Sequence, residues 1–461
     1  MKGFRRQRAA EQIRRELTQI LDTEFPDEDL PSFYIHKVEL SPDMGLARAL
    51  LTSSTVGGKL DEDEVMRPLR RLAPKIRASL VKRIQFRRAP NVVFQVDRGL
   101  EHKERIDSLL DRIKKRTPPT DLTAFLLAAA LWPLFALAPA RAAETPALES
   151  FEAEAQVMGT TFRIAAYGPE KRRLANVVYG AFDEAKRINN LISNYRDDSE
   201  LSRLNQADTG APIDLSPETM QVFAEALRIG ELTGGAFDVT VGPLVNAWGF
   251  GPGERTPSLA DTELDRLRAA VGWGKIAVGD TTVTKLADGV YCDLSAVAKG
   301  FGVDQAARAL DAHGHQNYMV EIGGEVLARG VNGEGRAWRI GIEKPSEAGQ
   351  GLQGVIELDG MAMATSGDYR NFWEEDGVRY SHTIDPRTGR PVRHQLASVT
   401  VLEPTCMRAD GFATALMALG EDEGYGLAER LELAALFQVR TPDGGFIERT
   451  TPAYDRLAAD D

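Results

Sequence analysis

Cysteine is nearly missing from these 461 residues: Cys292 and Cys406 are the two present, in no CxxC pair and beside no histidine cluster. That excludes zinc ribbons and disulfide scaffolds, and leaves open whether the two pair if this part of the chain is exported. Phosphate-binding signatures are missing as well. No GxGxxG lies between a strand and a helix, and no GxxxxGK precedes Ser or Thr, so the ordinary dinucleotide-fold and P-loop readings have no support. Wholesale disorder is excluded by 43% apolar residues against 27% charged.

Acidic residues are absent from one stretch in particular. Between Val65 and Val96 stand Arg67, Arg70, Arg71, Lys75, Arg77, Lys82, Arg83, Arg87 and Arg88, with no Asp or Glu. Residues 1–116 as a whole carry 25 Lys and Arg against 18 Asp and Glu, whereas the remainder carries 31 against 50. A basic piece and an acidic piece are thus joined in one chain. Each is long enough to bury a core.

Between them runs Leu122–Ala140, 19 residues without a charge. At about 1.5 Å of rise per residue, a helix of this length crosses a bilayer. Lys114-Lys115-Arg116 precedes it and Ala140-Arg141-Ala142 follows, which is also the layout of a secretory signal with its small-residue cleavage site. The excess of basic residues before the run predicts a cytoplasmic N-terminal domain and an exported, periplasmic C-terminal domain at the inner membrane. Three parts follow: residues 1–116, a signal-like or transmembrane segment at 117–143, and residues 144–461. Cleavage near Ala142, or separate translation of the halves, is expected.

In the basic piece, helical spacing over residues 4–22 is followed by strands at Phe33–Leu40 and Leu46–Thr52 around a Ser41-Pro-Asp-Met-Gly turn. One or two helices cover Asp61–Arg88, a strand covers Asn91–Val96 and a last helix Glu101–Lys115. This order describes a small α+β domain of the KH type, and its one-sign charge suits neutralisation of RNA phosphates. RRQRAAEQIRREL near the start, VELSPDM at the strand–turn and VDRGLEHKERIDSLL at the end resemble the ribosome-binding factor A family. The resemblance implies binding to the 30S ribosomal subunit during late maturation of 16S rRNA. Where that family carries Ala-x-Gly, this chain has Leu72-Ala73-Pro74.

The acidic piece alternates strand and helix as a layered α+β domain. A hairpin is predicted over Ala153–Tyr167, and helices over Ala175–Tyr195, Pro217–Thr233, Ala260–Val271, Ala298–His313, Ala409–Leu419 and Glu423–Glu432. Short strands surround Thr281–Asp293. Tyr318–Gly330, Trp338–Glu343 and Gly354–Ala364 read as strands.

Four clusters there carry chemistry. Asp410 and Thr414 are spaced i,i+4, which on a helix places a carboxylate and a hydroxyl one turn apart on one face, the hard oxygen donors that Mg²⁺ takes. His382 stands just before a turn built by Asp385-Pro386 and Thr388-Gly389 and is able to accept a proton near neutral pH. Asp293 leads a strand end into a helix start that carries Lys299, where amides and a cation face an anion such as phosphate. Gly234 and Gly235, before Ala236, Phe237 and Asp238, permit close backbone approach to a ligand.

Together these strings resemble the FAD:protein FMN transferase (ApbE-type) family from about Ala153 to Ala435. MGTT at Met158, ISNYRDDSEL, GAFDVTVGPL, DLSAVAKG, VEIGGE, ATSGDYRN, YSHTIDPRTGRP and CMRADGFATA occur in order. The resemblance implies Mg²⁺-dependent transfer of FMN from FAD to a Thr or Ser hydroxyl of an acceptor protein, with release of AMP. It implies that Asp410, Thr414 and the Ala296 carbonyl hold the metal. It further implies that Met158, Tyr195, Ala236, Phe237, Asp238, Asp293, Lys299 and Ile384 line the FAD site, and that His382 is the base. Two alternatives stay open: hydrolysis of FAD to AMP and FMN in the same pocket, or an RNA-binding maturation factor whose second half is a passenger.

Overall fold

A computed structural model of the chain describes residues 2–25, 33–41, 44–53, 61–83, 90–96, 148–252, 259–345, 352–369, 372–375 and 378–459. The run Leu122–Ala140, the cleavage site near Ala142 and the helix expected over Glu101–Lys115 lie outside the described residues. Among the described residues no helix is long and apolar enough to cross a membrane. The chain divides into two compact units. One comprises the described residues of 1–149 with 168–179, the other residues of 150–167 with 180–461.

In the first unit, helix α1 (Lys2–Glu24) buries Ile13, Leu17, Ile20 and Leu21, the one-sided spacing of an amphipathic helix. Strand β1 (Phe33–Leu40) pairs antiparallel with β2 (Leu46–Ser53), and β2 pairs parallel with β3 (Asn91–Val96). Between them helix α2 (Glu62–Arg83) buries Val65, Leu69, Leu72, Ile76 and Leu80. Its other face exposes Arg67, Arg70, Arg71, Lys75, Arg77 and Lys82. The helix–strand–strand–helix–strand order is the one expected. One helix runs through Pro68 and Pro74, so Leu72-Ala73-Pro74 is helix interior and no turn interrupts it.

The second unit takes in most of a hairpin of β4 (Glu149–Val157) and β5 (Thr160–Gly168), the part of helix α3 (Lys171–Ile192) from Gly180 onward, and α4 (Glu200–Gln206). Next come β6 (Ile213–Asp214), α5 (Pro217–Leu232), α6 (Gly242–Ala247), α7 (Asp261–Arg268), β7 (Ile276–Val278) and β8 (Thr282–Lys285). Helix α8 (Ser295–Ala312) leads into β9 (Asn317–Ile322) and β10 (Glu325–Arg329). After them follow β11 (Trp338–Glu343), β12 (Leu352–Leu358), β13 (Met361–Gly367), β14 (Phe372–Glu375), β15 (Val378–Ser381), β16 (Ile384–Asp385) and β17 (Arg390–Pro391). The unit closes with β18 (Leu396–Glu403), α9 (Cys406–Arg430), β19 (Ala434–Arg440), β20 (Phe446–Thr450) and α10 (Pro452–Ala459).

Eight strands form one sheet in the order β20-β19-β18-β13-β10-β9-β5-β4. Helices α8 and α9 cover one face, where Val297, Phe301, Phe412 and Leu416 meet Val399, Val401, Ala435 and Phe437. The hairpin β11–β12 covers the other, packing Trp338, Ile342, Ile356 and Leu358 against Met319, Val326, Met363 and Leu436. β18 is therefore buried along its whole length, its Ser398 and Thr400 hydroxyls bonded to Gln438 and Thr365 of the neighbouring strands.

Two segments that read as single strands are each two strands. Tyr318–Gly330 is a hairpin that folds back at Gly323-Gly324 (φ 65° and 107°). Gly354–Ala364 changes sheet at Gly360 (φ 69°): β12 pairs with β11, and β13 lies between β18 and β10. The last two helices meet at Gly420, whose φ of 81° and ψ of −172° break α9 close to where they were expected to part. Cys292 and Cys406 are both buried free thiols, so no disulfide joins them.

Candidate active site

The site is assembled where the N-terminal turns of α8 and α9 approach each other. A Cβ at residue 300 would lie 2.3 Å from the Cys406 carbonyl oxygen and 2.8 Å from Met407 Cα, so Gly300 lets the two helices cross at backbone contact. Thr405, at the N-cap of α9, makes no side-chain cap bond; Asp304 supplies it from α8. Its Oδ1 accepts from Cys406 N at 2.8 Å and its Oδ2 from Met407 N at 3.0 Å. Burial pushes the Asp304 carboxyl up to about 6 against these two amides.

One turn further along α9, Asp410 Oδ2 accepts from Gly300 N at 3.0 Å, and Asp410 Oδ1 lies 3.8 Å from Lys299 Nζ. The same ammonium is ion-paired to Glu325 at the start of β10. Asp410 and Glu325 are each 3% exposed, and Glu325 Oε2 is buried with no hydrogen-bond partner among the described residues. Burial raises both carboxyls despite Lys299. Burial works against the Lys299 charge, yet Asp410 and Glu325 outweigh it and hold the ammonium above its ordinary range. Two buried carboxyls thus share one cation, and a second cation would let both ionise.

Thr414 lies on the same face of α9 as Asp410, with its hydroxyl 3.4 Å from Ser366 Oγ at the end of β13. Ala296 sits in the first turn of α8, one turn before the Gly300 amide that reaches Asp410. A carboxylate, a hydroxyl and a backbone carbonyl are hard oxygen donors, and the second buried carboxyl beside them, with Glu325 Oε2 unbonded among the described residues, suits a divalent cation. Residues and group fit.

Met158 (φ 54°) and Gly159 (φ 74°) form the two-residue turn between β4 and β5, the positive-φ pair of a type I′ hairpin. This turn meets the Gly323-Gly324 turn, where a Cβ at residue 323 would lie 2.8 Å from Thr160 Cγ2. The Met158 methyl fills the space in which a side chain at Gly302 would sit, placing it against α8 beside Lys299.

Asp293 opens α8, its Oδ1 accepting from Ser295 N at 2.8 Å. Asn205 brackets the preceding residue, donating from Nδ2 to Cys292 O at 2.9 Å and accepting from Cys292 N at 2.7 Å. Partial burial and the Asp293 charge raise the Tyr195 phenol. Tyr195 is 66% exposed, and its hydroxyl donates to Phe250 O at 3.3 Å. The Phe250 ring stands edge-on to His382 at 6.4 Å between centroids. Asp293, Tyr195, Phe250 and His382 therefore follow one another along a rim.

Other candidates face inward. Ala236, Phe237 and Ile384 are buried, Phe237 in the main core and Ile384 in a small cluster with Leu244, Trp248 and Leu264. Asp238 accepts from Thr240 N at 2.8 Å, Thr240 Oγ1 at 2.6 Å and Trp273 N at 2.7 Å, which ties its carboxylate inside the fold. Gly234 and Gly235 (φ 60° and 82°) close the end of α5, with Gly235 N donating to Gly230 O at 2.9 Å. Their glycine requirement is met by the helix terminus. Glu325, Gly300, Asp304, Asn205 and Ser366 carry no role that the sequence pattern announces. For Glu325 alone there was a local sign, an acid directly after the Gly-Gly turn.

Comparison with known proteins gives a consistent result. Residues 158–437 match the sequence model of the ApbE family, and residues 5–110 match that of ribosome-binding factor A. The FAD:protein FMN transferase of Vibrio cholerae serotype O1 is 46% identical over 304 residues, 65% of this chain and 90% of that protein. The FAD:protein FMN transferase of Haemophilus influenzae is 49% identical over 280 residues, 59% of this chain and 80% of that protein. The solved structure of the flavin transferase ApbE from Vibrio cholerae superposes with a TM-score of 0.61 at 44% identity, covering 67% of this chain and 99% of that one.

Proposed function

The chain belongs to the ApbE family, and from that premise we propose that its larger unit transfers FMN from FAD to a Thr or Ser hydroxyl of an acceptor protein. The observation that carries this reading is the buried Asp410–Lys299–Glu325 cluster on helices held at backbone contact. Such a cluster is an arrangement for phosphoryl chemistry, in which positioning and charge supply most of the catalysis.

The acceptor oxygen attacks the phosphorus of the FMN half of the pyrophosphate. A new P–O bond forms, the P–O bond to AMP breaks, and the electron pair leaves with AMP. His382, on the rim, takes the proton of the attacking hydroxyl. Lys299 stands where charge develops on the departing phosphate, and Asp410 and Glu325 keep its ammonium charged and fixed. Tyr195, Met158 and Asp293 line the approach to α8. Mg²⁺ held by Asp410, Thr414 and the Ala296 carbonyl would supply Lewis-acid neutralisation of the pyrophosphate.

The first unit has its own role. Its basic helix face and its match to ribosome-binding factor A support binding of the small ribosomal subunit and 16S rRNA. Leu122–Ala140 serves as a signal or membrane anchor that leads the transferase unit out of the cytoplasm. Fractionation of host cells, with antibodies to each unit, tests that arrangement; both units in the cytosol would overturn it.

The decisive experiment for the transferase takes the full chain, FAD, Mg²⁺ and a membrane extract of the native host. Flavin fluorescence is then read in a denaturing gel. A fluorescent band that disappears with Asp410→Ala is the expected result. Accumulation of AMP and FMN with no band would replace transfer by hydrolysis.

A further inference from the structure

Arg393 has no part in the mechanism above, yet the hairpin brings it beside the segment that carries the base. β16 pairs with β17 through Ile384–Pro391 and Asp385–Arg390, and Val392 N donates to Thr383 O at 3.1 Å. The ladder ends there, and His382 and Arg393 are the residues next to that hydrogen bond on the two sides.

The guanidinium is held in place. It lies over the Tyr380 ring, 5.3 Å from its centroid. Tyr380 in turn stacks on Trp373 at 4.0 Å and on Trp248 at 5.7 Å. Both indoles are pinned, Trp373 Nε1 donating to Trp248 O at 3.1 Å and Trp248 Nε1 to Gly389 O at 2.9 Å. A guanidinium on an anchored aromatic face keeps its hydrogen-bonding edge free and pre-oriented.

It also differs from its neighbours in having no anion. Arg387 is paired with Asp385 at 3.0 Å and with Glu423 at 2.6 Å, and Arg390 is paired with Asp261. Arg393 is exposed and has no ion-pair partner among the described residues. Resting on the transferase reading, we infer that Arg393 selects the acceptor by binding a carboxylate side chain close to the Thr or Ser that receives FMN. The hydroxyl that gives its proton to His382 must lie beside this residue, whereas Lys299 and the hard-oxygen cluster already attend the pyrophosphate. Guanidinium and carboxylate meet through two parallel hydrogen bonds, which gives orientation as well as attraction.

The test uses the full chain with FAD, Mg²⁺ and synthetic peptides that each carry one Thr. A single Asp is walked through the flanking positions, with Asn in matched controls. The wild-type protein should favour Asp over Asn at one position by about tenfold or more in kcat/KM. Arg393→Gln should erase that preference through the peptide's KM, Arg393→Lys should keep part of it, and Arg393→Glu should transfer it to a Lys-bearing peptide. No Asp preference in the wild type would overturn the inference. So would an Arg393→Gln effect confined to the KM for FAD, which would assign the guanidinium to the FAD phosphates. Absence of AMP release with every peptide and with host membranes would instead sink the transferase reading, and the inference with it.

Discussion

Gly300 on α8 and Cys406 at the start of α9 touch backbone to backbone, with 2.3 Å between a Cβ built on the glycine and the cysteine's carbonyl oxygen. Two effects oppose each other when a methyl is added. Ala is favoured over Gly in a helix by about 1 kcal/mol. The obstacle is backbone, however, which moves only with its whole helix, and overpacking of this kind costs about 3 kcal/mol. The clash wins. Gly300→Ala should lower stability by about 2 kcal/mol and abolish FMN transfer by parting Lys299 from Asp410. Urea titration followed by tryptophan fluorescence checks the first effect, since four of the five tryptophans, Trp248, Trp273, Trp338 and Trp373, belong to the larger unit. Wild-type stability in the variant would show that the helices separate freely.

Asp304 gives a pH signature with a definite sign. Its folded carboxyl is pushed up to about 6 from an ordinary 3.8, burial being the first cause. Ionisation therefore opposes folding. The stabilising contribution is fully present below pH 3.8 and is lost as pH rises to about 6, by at most roughly 3 kcal/mol. Asp304→Asn cannot ionise, so the difference in urea midpoint between wild type and variant should change across pH 4 to 6 and then level off. Its sign should show the wild type losing ground as pH rises. A difference constant with pH would mean that Asp304 titrates normally.

How much of this was legible depends on distance along the chain. Asp410 and Thr414 could be placed together from spacing alone, because a helix converts i,i+4 into one face. Trp338–Glu343 and the break near Gly420 were legible for the same local reason. Asp304 and Gly300 act on residues about a hundred positions away, at Cys406, Met407 and Asp410, and nothing in the local pattern announces such a partner. Gly234 and Gly235 show the converse. Their backbone freedom was evident, but a helix end and a ligand loop ask the same of glycine, and only the fold separates them. β18 shows only a short alternation over Ala397–Val401, and its burial on both faces comes from layers that distant parts of the chain supply.

Asn205 offers the last test, because its side chain holds the loop that brings Asp293 to the start of α8. Its amide closes on both backbone groups of Cys292, donating to the carbonyl at 2.9 Å and accepting from the N–H at 2.7 Å. Asp293, the next residue, accepts from Ser295 N in the turn that leads into α8, so the pair of bonds sets where the helix carrying Lys299 begins. Asn205→Ala removes both bonds and strands two peptide groups of a buried residue. The cost should be about 2 to 4 kcal/mol, the range for unmade buried hydrogen bonds. The kinetic effect should fall mainly on the KM for FAD, because Lys299 and Asp410 remain in contact while the α8 entrance shifts. Asn205→Asp separates the two bonds, since a carboxylate still accepts from Cys292 N and no longer donates to Cys292 O. It should therefore recover part of the stability and little of the FAD affinity. Equal recovery of both would mean that the loop is held by the accepting bond alone.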